Sequence, residues 1–204
     1  MPTLTIVLWL LYLAISLGVR ILIQLRTTGS TGFVLLRSTS TPLQSFASAL
    51  FVSSLLAGLL SPVLVLVQLK HSMFMLVAMP TWSTALGGLL YVAGVSSAFV
   101  SQLTLGRSWR IGVDASERTE LVTRGAFRVV RNPVFSALLL TSISLALLCS
   151  TPLAWLACAV QLVALELQVR GVEEPHLARV HGAAYRDYAA RVGRFVPWLG
   201  RRST

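Results

Sequence analysis

The chain alternates long apolar runs with short polar connections up to about Arg107, and most of its patterned polar residues come after that point. Leu4 to Leu25 predicts a first membrane-crossing helix, with Arg20 near its far end. No basic residue precedes this run and it is too long for the core of a leader peptide, so the pattern reads as a span. The connection RTTGSTGFVLLRSTSTP leads to a second apolar run, Leu43 to Leu69, in which Ser61-Pro62 predicts a kink because the ring removes a helix hydrogen bond. MFMLVAMP is too short to cross and belongs to a turn or a helix start. Trp82 to Leu105 predicts the third span, and its small residues Gly87, Gly88, Gly94, Ser96, Ser97 and Ala98 would admit close helix contact.

Two shorter apolar arms follow, Val134 to Leu148 and Leu153 to Val169, divided by CSTP. Each falls at or just below the roughly 20 residues that cross a bilayer, which predicts a tight helical hairpin. Pro152 suits the first turn of the returning arm, and Asn132-Pro133 suits the cap and first turn of the outgoing one. Gly171 predicts a break, with Pro175 opening a further helix that carries Leu177, Val180, Ala184 and Tyr188 on one face. Such a helix would lie against the membrane or the bundle mouth, either as an interfacial anchor or as a lid across a pocket rimmed by Glu173, Glu174, Tyr185 and Tyr188. The expected fold is an all-α integral membrane protein of about five transmembrane helices, with a C-terminal helical hairpin and a cytoplasmic interfacial helix. It divides into a three-span region, 1–106, and a core, 107–204.

Composition agrees with this class: 55% of residues are hydrophobic, 12% are charged and the mean hydropathy is +0.76. The net charge is +10, and a five-span arrangement with the amino terminus outside puts sixteen of the 17 basic residues on one side, leaving Lys70 alone on the other. That asymmetry predicts a cytoplasmic carboxyl terminus. Arginines that flank spans are accounted for by orientation and anionic headgroups, so no nucleic-acid partner is expected. Cys149 and Cys158, about 13 Å apart if one helix carried both, read as small buried hydrophobes. His71 reads as an interfacial side chain at a helix end.

The acidic residues carry the candidate chemistry. Glu166 lies inside the last apolar arm and should pair with Arg170 one turn on. Glu173 and Glu174 follow Gly171. Opposite them, VTRGAFRVVRNP offers a glycine turn and a helix start with Arg131 beside it, a place for a small carboxylate. The two walls together offer handles for a zwitterionic, nucleoside-like cofactor. No metal-ligand cluster, phosphate loop or nucleophilic triad is present in the sequence, and no metal is expected.

From Leu103 to Trp198 the chain resembles the isoprenylcysteine carboxyl methyltransferase family of integral membrane enzymes, relatives of the phospholipid N-methyltransferases. The resemblance is carried by LGRSWRIGV, LVTRGAFRVVRNPVF and EEPHLARVHGAAYRDYAARVGRFVPW in that order. It implies S-adenosyl-L-methionine bound at the cytoplasmic mouth of the bundle and a lipophilic small-molecule or lipid acceptor entering from the membrane. Carried onto this chain, it puts Val122, Thr123, Gly125 and Phe127 on the adenosine side and Arg131, Asn132 and Pro133 on the methionine side. Glu173 and Glu174 become the polar handle, and Tyr185, Tyr188 and Arg191 close the site. Glu174, Arg131 and Asn132 are the residues expected nearest the chemistry. Asn132 stands where the family has histidine and Phe135 where it has tyrosine.

An acceptor that arrives ionised, a thiolate or carboxylate, needs alignment and desolvation more than a base. A phenol or amine needs one, and Glu174 or Glu166 is then the expected candidate. The alternative reading is a non-catalytic accessory or lipid-binding protein that keeps the fold, for which Asn132 speaks. A transporter has less support, since no inverted repeat is visible.

Overall fold

A computed structural model describes residues 1–32, 41–67, 79–111 and 120–201. Lys70, His71 and most of MFMLVAMP lie outside the described residues. Within them the regular elements are helical, and an isolated bridge joins Val130 to Gly193. The helices are α1 (Pro2–Leu13), α2 (Arg20–Thr28), α3 (Pro42–Leu66), α4 (Trp82–Leu105), α5 (Pro133–Cys149), α6 (Pro152–Gln168) and α7 (Glu174–Arg191). A π-helical turn, Ala14–Val19, joins α1 to α2, and a second, Val169–Glu173, joins α6 to α7.

Among the described residues four helical runs are long and apolar enough to cross a membrane: Pro2–Thr28, Pro42–Leu66, Trp82–Ser108 and Pro152–Arg191. The fifth expected crossing, α5, has 17 residues and so extends about 25 Å, a little short of the hydrocarbon thickness. Helix starts follow local chemistry. Pro42, Pro133 and Pro152 sit in first turns, where the missing N–H has no partner to lose. Thr41 and Thr151 accept from the N–H groups of Gln44 and Ala154, at 3.2 and 3.1 Å. Ser150 adopts φ 52°, and its hydroxyl donates to the Leu147 carbonyl at 2.6 Å, closing the end of α5.

The break expected at Gly171 does not form. Backbone stays helical from Pro152 into α7 through the π turn, and the interruption falls at Gly182, with φ 55° and ψ −125°. The physical reason lies in Pro175, whose ring would crowd the carbonyl of Gly171 in a regular α-helix. A wider turn immediately upstream relieves that crowding without ending the helix. Gly182 can take a positive φ because it has no Cβ. What was expected as a separate interfacial helix is therefore a continuation of α6 as far as Gly182.

The core is built where α1, α4, α5 and α6 meet, from Trp9, Tyr12, Tyr91, Val95, Leu138, Leu145 and Leu165. Polar ties cross it: Tyr91 donates to the Leu8 carbonyl at 2.8 Å and Gln102 to the Ser16 carbonyl, inside the first π turn, at 3.1 Å. Arg20, expected as a charge flanking a span, is only 1% exposed. It donates to the Gly106 carbonyl at 2.5 Å, and its guanidinium carbon lies 4.7 Å from the centre of the Trp109 ring. With Gln24 donating to the Arg107 carbonyl at 3.1 Å, these contacts fasten α2 to the segment that follows α4.

Of the small residues in α4, Gly87, Gly94 and Ala98 are buried, whereas Ser96 and Ser97 are exposed. Ser144 of α5 donates to the Gly87 carbonyl at 2.7 Å. At Gly94 the approach is closest: a Cβ there would stand 2.3 Å from the Thr141 hydroxyl oxygen and 3.1 Å from the Ala137 carbonyl oxygen. Gly94→Ala should accordingly destabilise the protein by about 1–3 kcal/mol through overpacking. Gly88→Ala, with nothing within 4 Å of its Cβ, should be neutral or slightly stabilising. Thermal unfolding of the two variants in detergent is the measurement, and equal melting behaviour would show that α4 and α5 do not depend on this contact.

Candidate functional site

The approach to α5 is held in place by the tail of the chain. Gly125, at φ 60°, opens a 3₁₀ turn, Gly125–Arg128, which buries Phe127 and leads to Val130. From there the backbone runs beside the tail, with Arg131 N–H donating to Gly193 O at 2.8 Å and Asn132 N–H to Arg194 O at 3.1 Å. Ser136 donates to Phe195 O at 2.7 Å. Gly193 has no alternative here, since a Cβ would fall 2.2 Å from the Val196 carbonyl oxygen.

Beneath this clamp lies a buried ion cluster. Glu174, 1% exposed, accepts from Arg131 Nη2 at 2.6 Å, from Arg194 Nε at 2.9 Å and from Arg194 Nη2 at 3.1 Å. Arg131 also donates from Nη1 to the Ala189 carbonyl at 3.1 Å and to that of Val192, and from Nη2 to the Gly200 carbonyl at 3.1 Å. The carboxylate hydrogen-bonded to Arg194 raises the pKa of that guanidinium and keeps it charged. Glu174 was expected as a catalytic residue and cofactor handle, but its oxygens are engaged by two arginines. The same interactions occupy both Nη groups of Arg131 and leave only Nε–H without a partner. Asn132 is the cap residue of α5, yet its side chain makes no capping bond and instead donates to Arg194 O at 3.4 Å. Pro133 occupies the first turn, as expected.

Above the cluster opens a cavity of about 200 Å³. Its wall combines aromatic rings (Trp109, Phe127, Tyr185, Tyr188) with polar groups from four segments, among them Arg110, Glu120, Arg131, Asn132, Glu173 and His176. Tyr188 ties α7 across the cavity to the approach, its hydroxyl donating to Phe127 O at 2.6 Å, and Tyr185 meets it edge-on at 6.3 Å. The turn at Gly182 separates these two tyrosines from Glu173 and His176, so both halves of α7 contribute to one wall. Val122 and Pro133 also line it. Thr123 and Gly125 are exposed and outside the lining, as is Arg191, whose Nε donates to Asp187 O on its own helix at 3.1 Å. Those three are not brought to the cavity. Trp109, Arg110, Glu120 and His176 were not singled out from sequence, although the first two stand in LGRSWRIGV and the last in EEPHL; their types gave no signal by themselves.

A second cavity, about 150 Å³, lies inside the helical bundle, lined mainly by apolar side chains such as Leu13, Phe51, Leu55, Leu138 and Leu165. The two cavities share Trp109, Arg110, Val134, Phe135 and Glu173. Glu173 is held at this common wall by the π turn. In a turn of that width residues five apart come into register, and Gln168 donates to Glu173 Oε1 at 3.4 Å. Adjacent helical residues point about 100° apart, so Glu173 faces the cavities while Glu174 faces the arginines. Glu166 pairs with Arg170 as expected, and Arg194 Nη1 lies 3.8 Å away. No cluster able to hold a metal ion occurs among the described residues.

Comparison with known proteins gives three findings. The family model described as Phospholipid methyltransferase matches residues 82–184. Protein-S-isoprenylcysteine O-methyltransferases B and A of Arabidopsis thaliana are each 28% identical to the chain over 120 residues, covering 58% of it and 61% of the relative. The chain thus matches less than two thirds of those relatives' length. Among solved structures, the eukaryotic intramembrane Ras methyltransferase ICMT (isoprenylcysteine carboxyl methyltransferase) has the same fold, with a TM-score of 0.60 at 21% identity, covering all of this chain and 70% of that one.

The ion cluster generates a test of its own. Glu174→Gln leaves two arginines buried with one neutral partner and should cost about 3–5 kcal/mol of stability. Glu166→Gln, in a pair with side chains 31% and 62% exposed, should cost less than about 1 kcal/mol. Thermal unfolding in detergent compares them, and equal losses would remove the cluster from its structural role.

Proposed function

The chain belongs to the phospholipid methyltransferase family, and on that premise we propose that it is an S-adenosyl-L-methionine-dependent methyltransferase acting on a lipophilic acceptor at the membrane. The observation that carries this reading is the pair of cavities with one common wall, the first aromatic and charged, the second apolar. A zwitterionic nucleoside fits the first. Its rings find Trp109, Phe127, Tyr185 and Tyr188, its ammonium finds Glu120, and its carboxylate finds Arg110, Asn132 or the remaining Nε–H of Arg131. When bound, the cofactor supplies an electrophilic methyl group on a sulfonium.

The chain's own contribution is to align and to exclude water. The apolar cavity receives an acyl or alkyl chain between α1, α3, α5 and α6 and brings its polar end to the wall formed by Trp109, Arg110, Val134, Phe135 and Glu173. Desolvation there strengthens every charge interaction that the acceptor meets. We assign the cofactor-binding core to 107–204 and the three-span region 1–106 to the walls of the acceptor cavity.

Binding tests the reading directly. Protein stripped with chelator, in detergent or lipid nanodiscs, should bind S-adenosyl-L-methionine saturably by calorimetry. Phe127→Ala should weaken that binding about ten- to hundredfold, as loss of an aromatic face against a base does, while Arg191→Ala should leave it unchanged. No binding by the intact protein in either environment would favour the accessory or lipid-binding reading.

For the orientation we propose an amino terminus outside and a cytoplasmic carboxyl terminus, the arrangement that puts sixteen of the 17 basic residues on the cytoplasmic side. Cysteines placed at Glu120 and Arg201 should be labelled from the cytoplasmic side of oriented vesicles. Labelling of the two from opposite sides would overturn the five-crossing arrangement.

A further inference from the structure

Three carboxylates approach the join between the helical bundle and the tail, and their surroundings divide them. Glu174 is engaged by Arg131 and Arg194, and Glu166 is paired with Arg170 and lies near Arg194. Neither lines a cavity. Glu173 lines both, and its hydrogen bond among the described residues comes from a neutral amide, Gln168. Of the residues lining the acceptor cavity it is the sole carboxylate. The charged and titratable groups gathered around the same space are Tyr12 on α1, Arg110 after α4, Glu120 and Arg131 on the approach to α5, and Glu174, His176, Tyr185 and Tyr188 on α7.

From this placement we infer that Glu173 is the proton acceptor for a methyl acceptor that enters with its proton on, a long-chain thiol or comparable X–H nucleophile. The inference rests on the methyltransferase reading above and deepens it by naming the class of acceptor. Two features of the wall set the choice. A carboxylate without a cationic side-chain partner repels an acceptor that arrives as an anion and accepts a hydrogen bond from one that arrives protonated. Arg110, on the same wall, then faces the negative charge that develops on the acceptor as its proton leaves.

In the step itself the acceptor's X–H proton passes to a Glu173 carboxylate oxygen, and the freed lone pair forms a bond to the methyl carbon of the sulfonium donor. The carbon–sulfur bond breaks with its electron pair going to sulfur, which leaves a neutral thioether and X–CH₃. Glu173 returns its proton to water when the products depart. The π turn is what makes this possible, since it holds the carboxylate at the wall between acceptor and donor while the next residue is tied down by arginines.

Decanethiol and decanoic acid, matched in chain length, separate the possibilities when methylation by the full chain in nanodiscs is followed. The thiol should be the better acceptor. Glu173→Gln should lower turnover of the thiol by about 10²–10⁴, the usual contribution of a positioned base, and should abolish the acidic limb of its pH–rate profile. Glu173→Asp should restore part of the rate. Affinity for the demethylated cofactor, read by calorimetry, should change far less than turnover, and infrared difference spectra on adding thiol to that complex should show a carboxylate band shifted by the new hydrogen bond, a shift that Glu173→Gln lacks. Preferential methylation of decanoic acid would overturn the inference, as would a variant that keeps the parent rate and profile. A loss of cofactor affinity as large as the loss of turnover would also overturn it and make Glu173 a cofactor handle. An intact protein that binds cofactor but fails on these points refutes this inference alone, whereas one that binds no cofactor refutes the function on which it rests.

Discussion

Three distant pieces of the chain meet at the carboxylate of Glu174. Arg131 comes from the approach to α5, Arg194 from the tail and Glu174 itself from the start of α7. A charge this deeply buried is stable only when its partners are complete, because desolvation costs several kcal/mol per ion and is repaid through good geometry. The cluster therefore acts as a fastening that tolerates little change. With Arg131 fixed, the backbone at Asn132 and Pro133 is fixed, and so is the point at which α5 enters the bundle. With Arg194 fixed, the loop through Gly193 to Gly200 lies against that same backbone. The floor of the larger cavity is the upper side of this assembly.

The second organising feature is the close approach of α4 and α5. Glycine at 87 and 94 lets the helices come near enough for Ser144 to reach a backbone carbonyl across the interface. In an apolar solvent such contacts matter, since burying hydrophobic surface against lipid gains little and van der Waals fit and polar ties supply the association. The ties of α1 and α2 to α4, through Tyr91, Gln102, Gln24 and Arg20, are of the same kind. They position Trp109 on Arg20, and Trp109 stands at the wall between the two cavities.

What could be read from the sequence follows from the range of the interactions involved. Apolar runs and proline at first turns are local signals, and they located α3, α4, α5 and α6 to within a few residues. Helical geometry puts Glu173 and Glu174 on different faces, but it does not say which face meets the arginines, and Glu174, expected nearest the chemistry, is the one they engage. Other features depend on contacts far apart in the chain. Nothing local distinguishes Arg20 from an arginine that flanks a span, yet Gly106 and Trp109 bury it. The helix break was expected at Gly171 because glycine and proline lie close together there, but a π turn absorbs that strain and Gly182 takes the break instead. Arg194 was read only as a flanking charge, and its pairing with a residue twenty positions earlier has no periodic signature. The same holds for Thr123, Gly125 and Arg191, which share a stretch with cavity residues while pointing elsewhere.

The π turn at Val169–Glu173 also makes the wall sensitive to length as well as to composition. One residue is in excess of a regular helix at that point, and the wide turn absorbs it. Were the same residues to rewind as regular α-helix, everything beyond would turn by about 100° about the helix axis. The rotation would carry Glu174 away from its arginines and Glu173 away from the cavities, with no side chain altered. Spacing between Gln168 and Glu173 is in this sense part of the site's chemistry.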